Sequence, residues 1–84
     1  MEYHYALLAE VAEFFCELSR RERDGCLKIF RSLADDPFQR GNFYTKDSIG
    51  REIQHKIVRQ WELSFWTNAA TTDVRIVGLR KIRR

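Results

Sequence analysis

The chain is poor in the residues that staple or interrupt small folds, with two cysteines, one proline and four glycines in 84 residues. Cys16 and Cys26 are too few for a disulfide framework, and neither has a second Cys or a His at metal-ligand spacing. Both therefore read as small core or boundary residues. No glycine-rich phosphate loop is present, so neither a metal nor another cofactor is expected. No apolar run approaches the roughly 18 residues of a membrane-spanning helix. The opening Met1-Glu2-Tyr3-His4-Tyr5 lacks the positive flank of a secretory signal, so a cytoplasmic protein with no membrane contact is expected. Internal repeats and low-complexity segments are missing as well.

What is present is enough for a folded core. Hydrophobic residues make up 44% of the chain and aromatic residues 13%, which excludes disorder over most of its length. Residues 1–84 are expected to form one domain, too small to enclose a deep cavity, so any chemistry should sit on a surface. The charge is unevenly spread. Residues 1–42 carry six Lys/Arg against eight Asp/Glu, a balance of −2, and residues 43–84 carry nine against four, a balance of +5, for the net +3. A basic second half favours a nucleic acid or an acidic protein as partner over a neutral small molecule.

From Ala6 to Leu18, the residues Leu7, Leu8, Val11, Phe14, Phe15 and Leu18 recur at helical spacing, predicting an amphipathic helix. Ser19-Arg20-Arg21-Glu22 has the form of a capping box and starts a second helix, with Cys26, Leu27, Phe30, Leu33 and Ala34 on one face. That helix stops before Asp35-Asp36-Pro37, because proline disfavours helical geometry in the residue before it. With almost no loop between them, the two helices fold back as a hairpin. Gly25 marks either a local weakness or a close helix–helix contact.

Residues 35–50 read as a polar connector with a short strand at Phe43-Tyr44. Alternation then places Ile53, His55 and Ile57 on one side of a strand and Trp61, Leu63 and Phe65 on one side of the next, with a tight turn at Val58-Arg59-Gln60. After the polar stretch 67–72, Val74 to Leu79 suits an interior strand. The expected fold is α+β: two N-terminal helices in a hairpin, packed on a three- to four-stranded antiparallel sheet.

The order of these elements carries a resemblance. Two helices closing on Asp35-Asp36-Pro37-Phe38, then Gly50-Arg51-Glu52-Ile53-Gln54-His55-Lys56-Ile57, then Trp61-Glu62-Leu63-Ser64-Phe65-Trp66, then Asp73-Val74-Arg75-Ile76-Val77, is similar to the RelE/ParE superfamily of bacterial toxins from type II toxin–antitoxin modules. The resemblance runs from about Leu7 to Leu79. It implies a growth-arresting toxin in a hetero-oligomer with its cognate antitoxin. RelE-like members cut messenger RNA on the ribosome without a metal, and ParE-like members inhibit DNA gyrase without cleaving RNA. By position, Lys56 matches the second of two lysines that RelE-like nucleases carry on this strand, while the first falls on Gln54. The arginine that those nucleases carry just after the aromatic residue opening the next strand falls on Glu62, Arg83 and Arg84 lie where a late catalytic arginine is matched, and the tyrosine that follows it has no counterpart.

Cleavage through a ribose 2′-hydroxyl needs a base, cations around the phosphorane and an acid for the leaving oxygen. Lys56, Arg51 and Arg75 are the candidate catalytic residues, to be weighed against ordinary solvent-facing strand charges. Arg75 joins Lys56 only if the strand registers align. Arg59, Trp66, Arg80, Lys81, Arg83 and Arg84 are the candidate nucleic-acid contacts, the last four as a basic tail. Strict alternation puts Trp61 and Trp66 on opposite faces, one in the core and one as a surface platform. His55 reads as a hydrogen-bonded structural histidine directed to the helix-covered side, and His4 lies in an aromatic N-terminal strand or tail without a partner. The leading expectation is a ribosome-dependent messenger RNA endonuclease. A gyrase inhibitor is the alternative, and a degenerate toxin or nucleic-acid-binding module that only binds its antitoxin is a third reading.

Overall fold

The sheet begins before the helices. The computed structural model describes residues 2–82, so the expected contacts of Arg83 and Arg84 lie outside the described residues. The element order is β1 (His4–Leu7), α1 (Ala9–Cys16), α2 (Arg20–Asp35), β2 (Phe43–Lys46), β3 (Glu52–Val58), β4 (Trp61–Asn68) and β5 (Asp73–Lys81). The strands lie in the order β1-β5-β4-β3-β2, with β1 parallel to β5 and every other pair antiparallel. This corrects the expected architecture on two points. The sheet is mixed and five-stranded, and a strand precedes the helix hairpin. Leu7 fits the helical spacing of Leu8 and Val11, but it pairs with Ile76 in the sheet, and α1 starts only at Ala9.

Local chemistry accounts for the remaining boundaries. Ser19 accepts a hydrogen bond from the Glu22 amide, and Glu22 accepts one from the Ser19 amide, which completes the capping box of α2. The helix ends at Asp35, two residues before Pro37. Arg59 and Gln60 form the two-residue turn between β3 and β4, with Arg59 at φ 56°, a left-handed conformation that costs a non-glycine residue roughly 1–2 kcal/mol. Gly41 runs against β3 so closely that a Cβ would meet the His55 backbone. Gly25 has no neighbour within 4 Å of where a Cβ would stand, so it is a local weakness of α2 and not a helix–helix contact.

Both helices cover one sheet face. Phe30 and Leu33 from α2 are buried with Leu63, Phe65, Val74 and Ile76 from β4 and β5, and each such side chain contributes roughly 1.5–3 kcal/mol. Phe30 packs between Tyr5 and Phe15 at ring-centroid distances of 5.5 and 5.8 Å, which ties β1 and both helices to one centre. Trp61 is in this core and meets Phe14 edge to face. Neither helix is long and apolar enough to cross a membrane.

Candidate functional site on the uncovered sheet face

The register decides which side chains share the face opposite the helices. Pairing Val58 with Trp61 sets Lys56 opposite Leu63 and His55 opposite Ser64. Because Leu63 is core, Lys56 points to the helix side and His55 to the uncovered side. On β5, Arg75 is opposite Trp66 and Arg80 opposite Glu62. Between them one β5 residue, Val77, is inserted as a bulge, which keeps both arginines on the uncovered side although they are five positions apart.

Arg51, Trp66 and Arg75 therefore come together. The Arg51 guanidinium, from the residue just before β3, lies 4.0 Å from the Trp66 ring centroid, and that of Arg75 on β5 lies 5.3 Å away. They line an open depression of about 350 Å3 with Ala6 of β1 and Val77 of β5. Each arginine is held by a carboxylate. Asp47 accepts from the Arg51 Nε at 2.9 Å and from its backbone amide at 2.8 Å, and Asp73 accepts from the Arg75 Nε at 3.2 Å. Partial desolvation pushes the Asp47 carboxyl up, but hydrogen bonds from the Arg51 and Ile49 amides and the Arg51 side chain outweigh it, so the group titrates below the usual Asp range.

Arg80 continues this surface towards the other end of the sheet, donating to Glu62 Oε1 at 2.6 and 3.0 Å. His55 stands beside them with its side chain 16% exposed. Its Nε2 is 2.7 Å from Thr45 Oγ1, its Nδ1 is 3.0 Å from Ser64 Oγ, and its ring stacks on Phe43 at 4.6 Å. The expectation of a hydrogen-bonded histidine is met in its bonding and overturned in its direction. Ile53 and Ile57 share its side by the same register, and the polar connector lies along the other side of β3. There Gln39 accepts from Lys56 Nζ and the Gly41 amide donates to Gln54 Oε1 at 2.9 Å.

The candidate residues thus divide by place. Arg51, Arg75, Arg80 and Trp66 share the uncovered face. Lys56 is on the opposite face, Arg59 is in the hairpin turn, and Lys81 pairs with Glu22 at 2.7 Å. Sequence reasoning missed the carboxylates Asp47, Glu62 and Asp73 as partners of these arginines. For Asp47 and Asp73 the signal was local, an acid four and two residues before an arginine. Among the described residues no group of three or more His, Cys, Asp or Glu side chains is arranged to hold a metal. Chemically, the face offers flat aromatic surface between two guanidiniums that can exchange a carboxylate for a phosphate, the bidentate geometry arginine suits.

Comparison with solved structures identifies the architecture. The toxin–antitoxin complex RelBE2 from Mycobacterium tuberculosis contains a chain that matches with a TM-score of 0.78 at 12% identity, over 96% of this chain and 99% of that one. The archaeal RelE–RelB complex from Pyrococcus horikoshii contains another, with a TM-score of 0.74 at 14% identity, over 100% of this chain and 99% of that one. This is a RelE-like fold. No family model matches the sequence, and no curated protein matches it either. At such identities the RelE-like fold is shared while the side chains are almost wholly different, so the site has to be argued from its own geometry.

Proposed function

We propose that this chain is the toxin of a toxin–antitoxin module, acting on the translation machinery as a ribosome-dependent messenger RNA endonuclease and restrained by a cognate antitoxin. The observation that carries the reading is the Arg51–Trp66–Arg75 cluster, exposed on the uncovered face of a RelE-like fold. Trp66 offers a ring on which a base can stack once a guanidinium leaves it for a phosphate, and Arg51, Arg75 and Arg80 offer guanidiniums to the phosphates on either side. His55 adds an imidazole to that face, hydrogen-bonded to Thr45 and Ser64, and an imidazole so placed can accept or donate a proton. Lys56 has no part in this arrangement, since it lies on the other face.

A second reading has its own support. All three open-face arginines are already paired with carboxylates, Arg51 with Asp47, Arg75 with Asp73 and Arg80 with Glu62. This leaves little free positive charge for a phosphorane, and it favours a toxin that binds a protein target such as DNA gyrase without cleavage. The deciding experiment adds purified chain to a reconstituted translation reaction and maps message 5′ ends by primer extension. New ends within translated codons that vanish in Arg75→Ala and persist in Lys56→Ala support the nuclease on the open face. Unchanged ends, with DNA supercoiling by gyrase inhibited in parallel, support the second reading and overturn the first.

A further inference from the structure

His55 stands at the centre of a chain of polar side chains that runs across three strands of the uncovered face, from Thr45 on β2 to Glu62 and Ser64 on β4. Phe43 stacks on the imidazole at 4.6 Å with the two planes 4° apart, which fixes the plane of the ring. Nε2 lies 2.7 Å from Thr45 Oγ1, and Nδ1 lies 3.0 Å from Ser64 Oγ and 3.8 Å from Glu62 Oε2. Arg80 takes the other oxygen of Glu62, Oε1, and so holds the carboxylate in place. On the neighbouring strand Gly78 pairs with Ser64, and a Cβ there would stand 3.1 Å from Ser64 Cβ and Oγ. A glycine at that position keeps the space in which the serine hydroxyl reaches the imidazole.

The carboxylate selects the tautomer. The side chains of His55 and Glu62 are only 16% and 14% exposed, so the negative charge acts on Nδ1 through little water and favours a proton there. Nδ1–H then donates to Ser64 Oγ, and Nε2 is left to accept the hydroxyl proton of Thr45. A hydroxyl on one imidazole nitrogen, with the other nitrogen oriented and facing a carboxylate, is the arrangement that turns a serine or threonine into a nucleophile. Thr45 is exposed, on the outermost strand of the sheet. The Asp47 amide donates to the Arg51 carbonyl, and antiparallel pairing alternates from there, so the Thr45 amide turns towards β3 and the Lys46 amide towards the open edge. The amide of the residue after a nucleophile is a ready donor to the oxyanion formed on it.

We propose that Thr45 is an activated nucleophile, with His55 as its base, that takes the acyl group of small carboxylic esters. Thr45 Oγ1 attacks the carbonyl carbon and its proton passes to His55 Nε2. The carbon–oxygen bond to the alcohol then breaks, the leaving oxygen takes the proton from Nε2, and the acyl group remains on Thr45 as an ester. Water attacks that ester, gives a proton to Nε2, and Thr45 Oγ1 recovers it as the carboxylic acid leaves. Glu62 stabilises the imidazolium present between these transfers, as a positioning residue that does not touch the substrate. An amide and a neutral imidazole suit an uncharged carbonyl, and the open edge of β2 admits it without a deep cavity. This chemistry needs neither a ribosome nor an antitoxin, so it stands or falls apart from the toxin reading.

The test follows nitrophenolate release from p-nitrophenyl acetate by the full chain and maps acetyl groups by tandem mass spectrometry after acid quench. Cys16→Ser is made in every sample, because an exposed thiol is itself acylated. The variants are Thr45→Val, which keeps a β-branched strand residue, Thr45→Ser, His55→Gln and Glu62→Gln, each checked by thermal melting. Thr45→Val and His55→Gln are expected to lower release about 10²-fold or more, the scale of general-base catalysis, while Thr45→Ser stays within about tenfold of the parent. Glu62→Gln should lower the rate at saturating ester and leave the half-saturating concentration unchanged, a split that a purely structural role would not produce. Acetyl found on Thr45, or turnover that requires its hydroxyl, supports the assignment. Release by a folded Thr45→Val within twofold of the parent, or acetyl carried only by lysines or by His55, overturns it.

Discussion

Trp66 lies between two guanidiniums, and the unequal distances make its energetics predictable. With Arg51 at 4.0 Å and Arg75 at 5.3 Å from the ring centroid, both are within cation–π range, Arg51 more closely. The side chains of Arg51 and Arg75 are 39% and 43% exposed, so the exposed-site value of about 0.5–1 kcal/mol applies to each contact. Trp66→Leu keeps an apolar side chain but loses both, for a destabilisation of about 1–2 kcal/mol. In a domain of this size each kcal/mol lowers Tm by roughly 4–8 °C. Arg51→Ala and Arg75→Ala also break bonds to Asp47 and Asp73, so single variants mix several losses. Double-mutant cycles with Trp66→Leu, read by urea unfolding, isolate the ring-specific part. The expected coupling is about 0.5–1 kcal/mol for Arg51–Trp66 and smaller for Arg75–Trp66. Coupling near zero for Arg51, or the reverse order of the two, refutes the stacked arrangement. It would also remove the physical basis for treating these three side chains as one binding surface.

Other outcomes follow from the same geometry. Lys56→Met keeps the aliphatic stem and loses one bond to Gln39, so it should change stability by less than about 1 kcal/mol and leave growth arrest intact. Loss of arrest at an unchanged melting temperature would move the site to the other face. The carboxyl of Glu22 is lowered below 4.5 by hydrogen bonds from Lys81 and Ser19, and that of Asp47 lies below 3.8, so the folded state binds their protons less readily than the unfolded state. Their contribution is complete above those ordinary values and is lost as pH falls through the lower folded ones. The stability profile of Glu22→Gln should be flatter than the parent's below about pH 4.5, and identical acid limbs would contradict this. Finally, burial pushes the Cys26 thiol up to about 11, while Cys16 is exposed. Ellman's reagent near neutral pH should therefore titrate one thiol in the folded chain and two after unfolding, and two fast thiols in the folded state would show that α2 opens readily.

The helix hairpin was legible because its signals are local. Ser19 and Glu22 cap α2 within one turn, and Pro37 closes it. Strand β1 was legible only as one of two readings of the aromatic N-terminus, strand or tail, because its four residues are too few to show a period of their own and Leu7 falls in phase with α1. The direction of β3 was misread for a different reason. Alternation reports that Ile53, His55 and Ile57 share a face, but it does not say which face. The apolar pair suggested the core, yet α2 does not cover β3, and the polar connector fills that side with Gln39 and Gly41. The information needed was still present in the chain. A two-residue turn at Arg59-Gln60 sets Val58 opposite Trp61, and antiparallel pairing then sets Lys56 opposite Leu63 and His55 opposite Ser64. With Trp61, Leu63 and Phe65 as the buried triplet of β4, parity separates Lys56 from Arg51 and gathers Arg51, His55 and Trp66 on the uncovered face. The Val77 bulge is what parity cannot supply. Without it Arg75 and Arg80, an odd number of residues apart, would stand on opposite faces, so the full arginine surface depends on one inserted residue in β5.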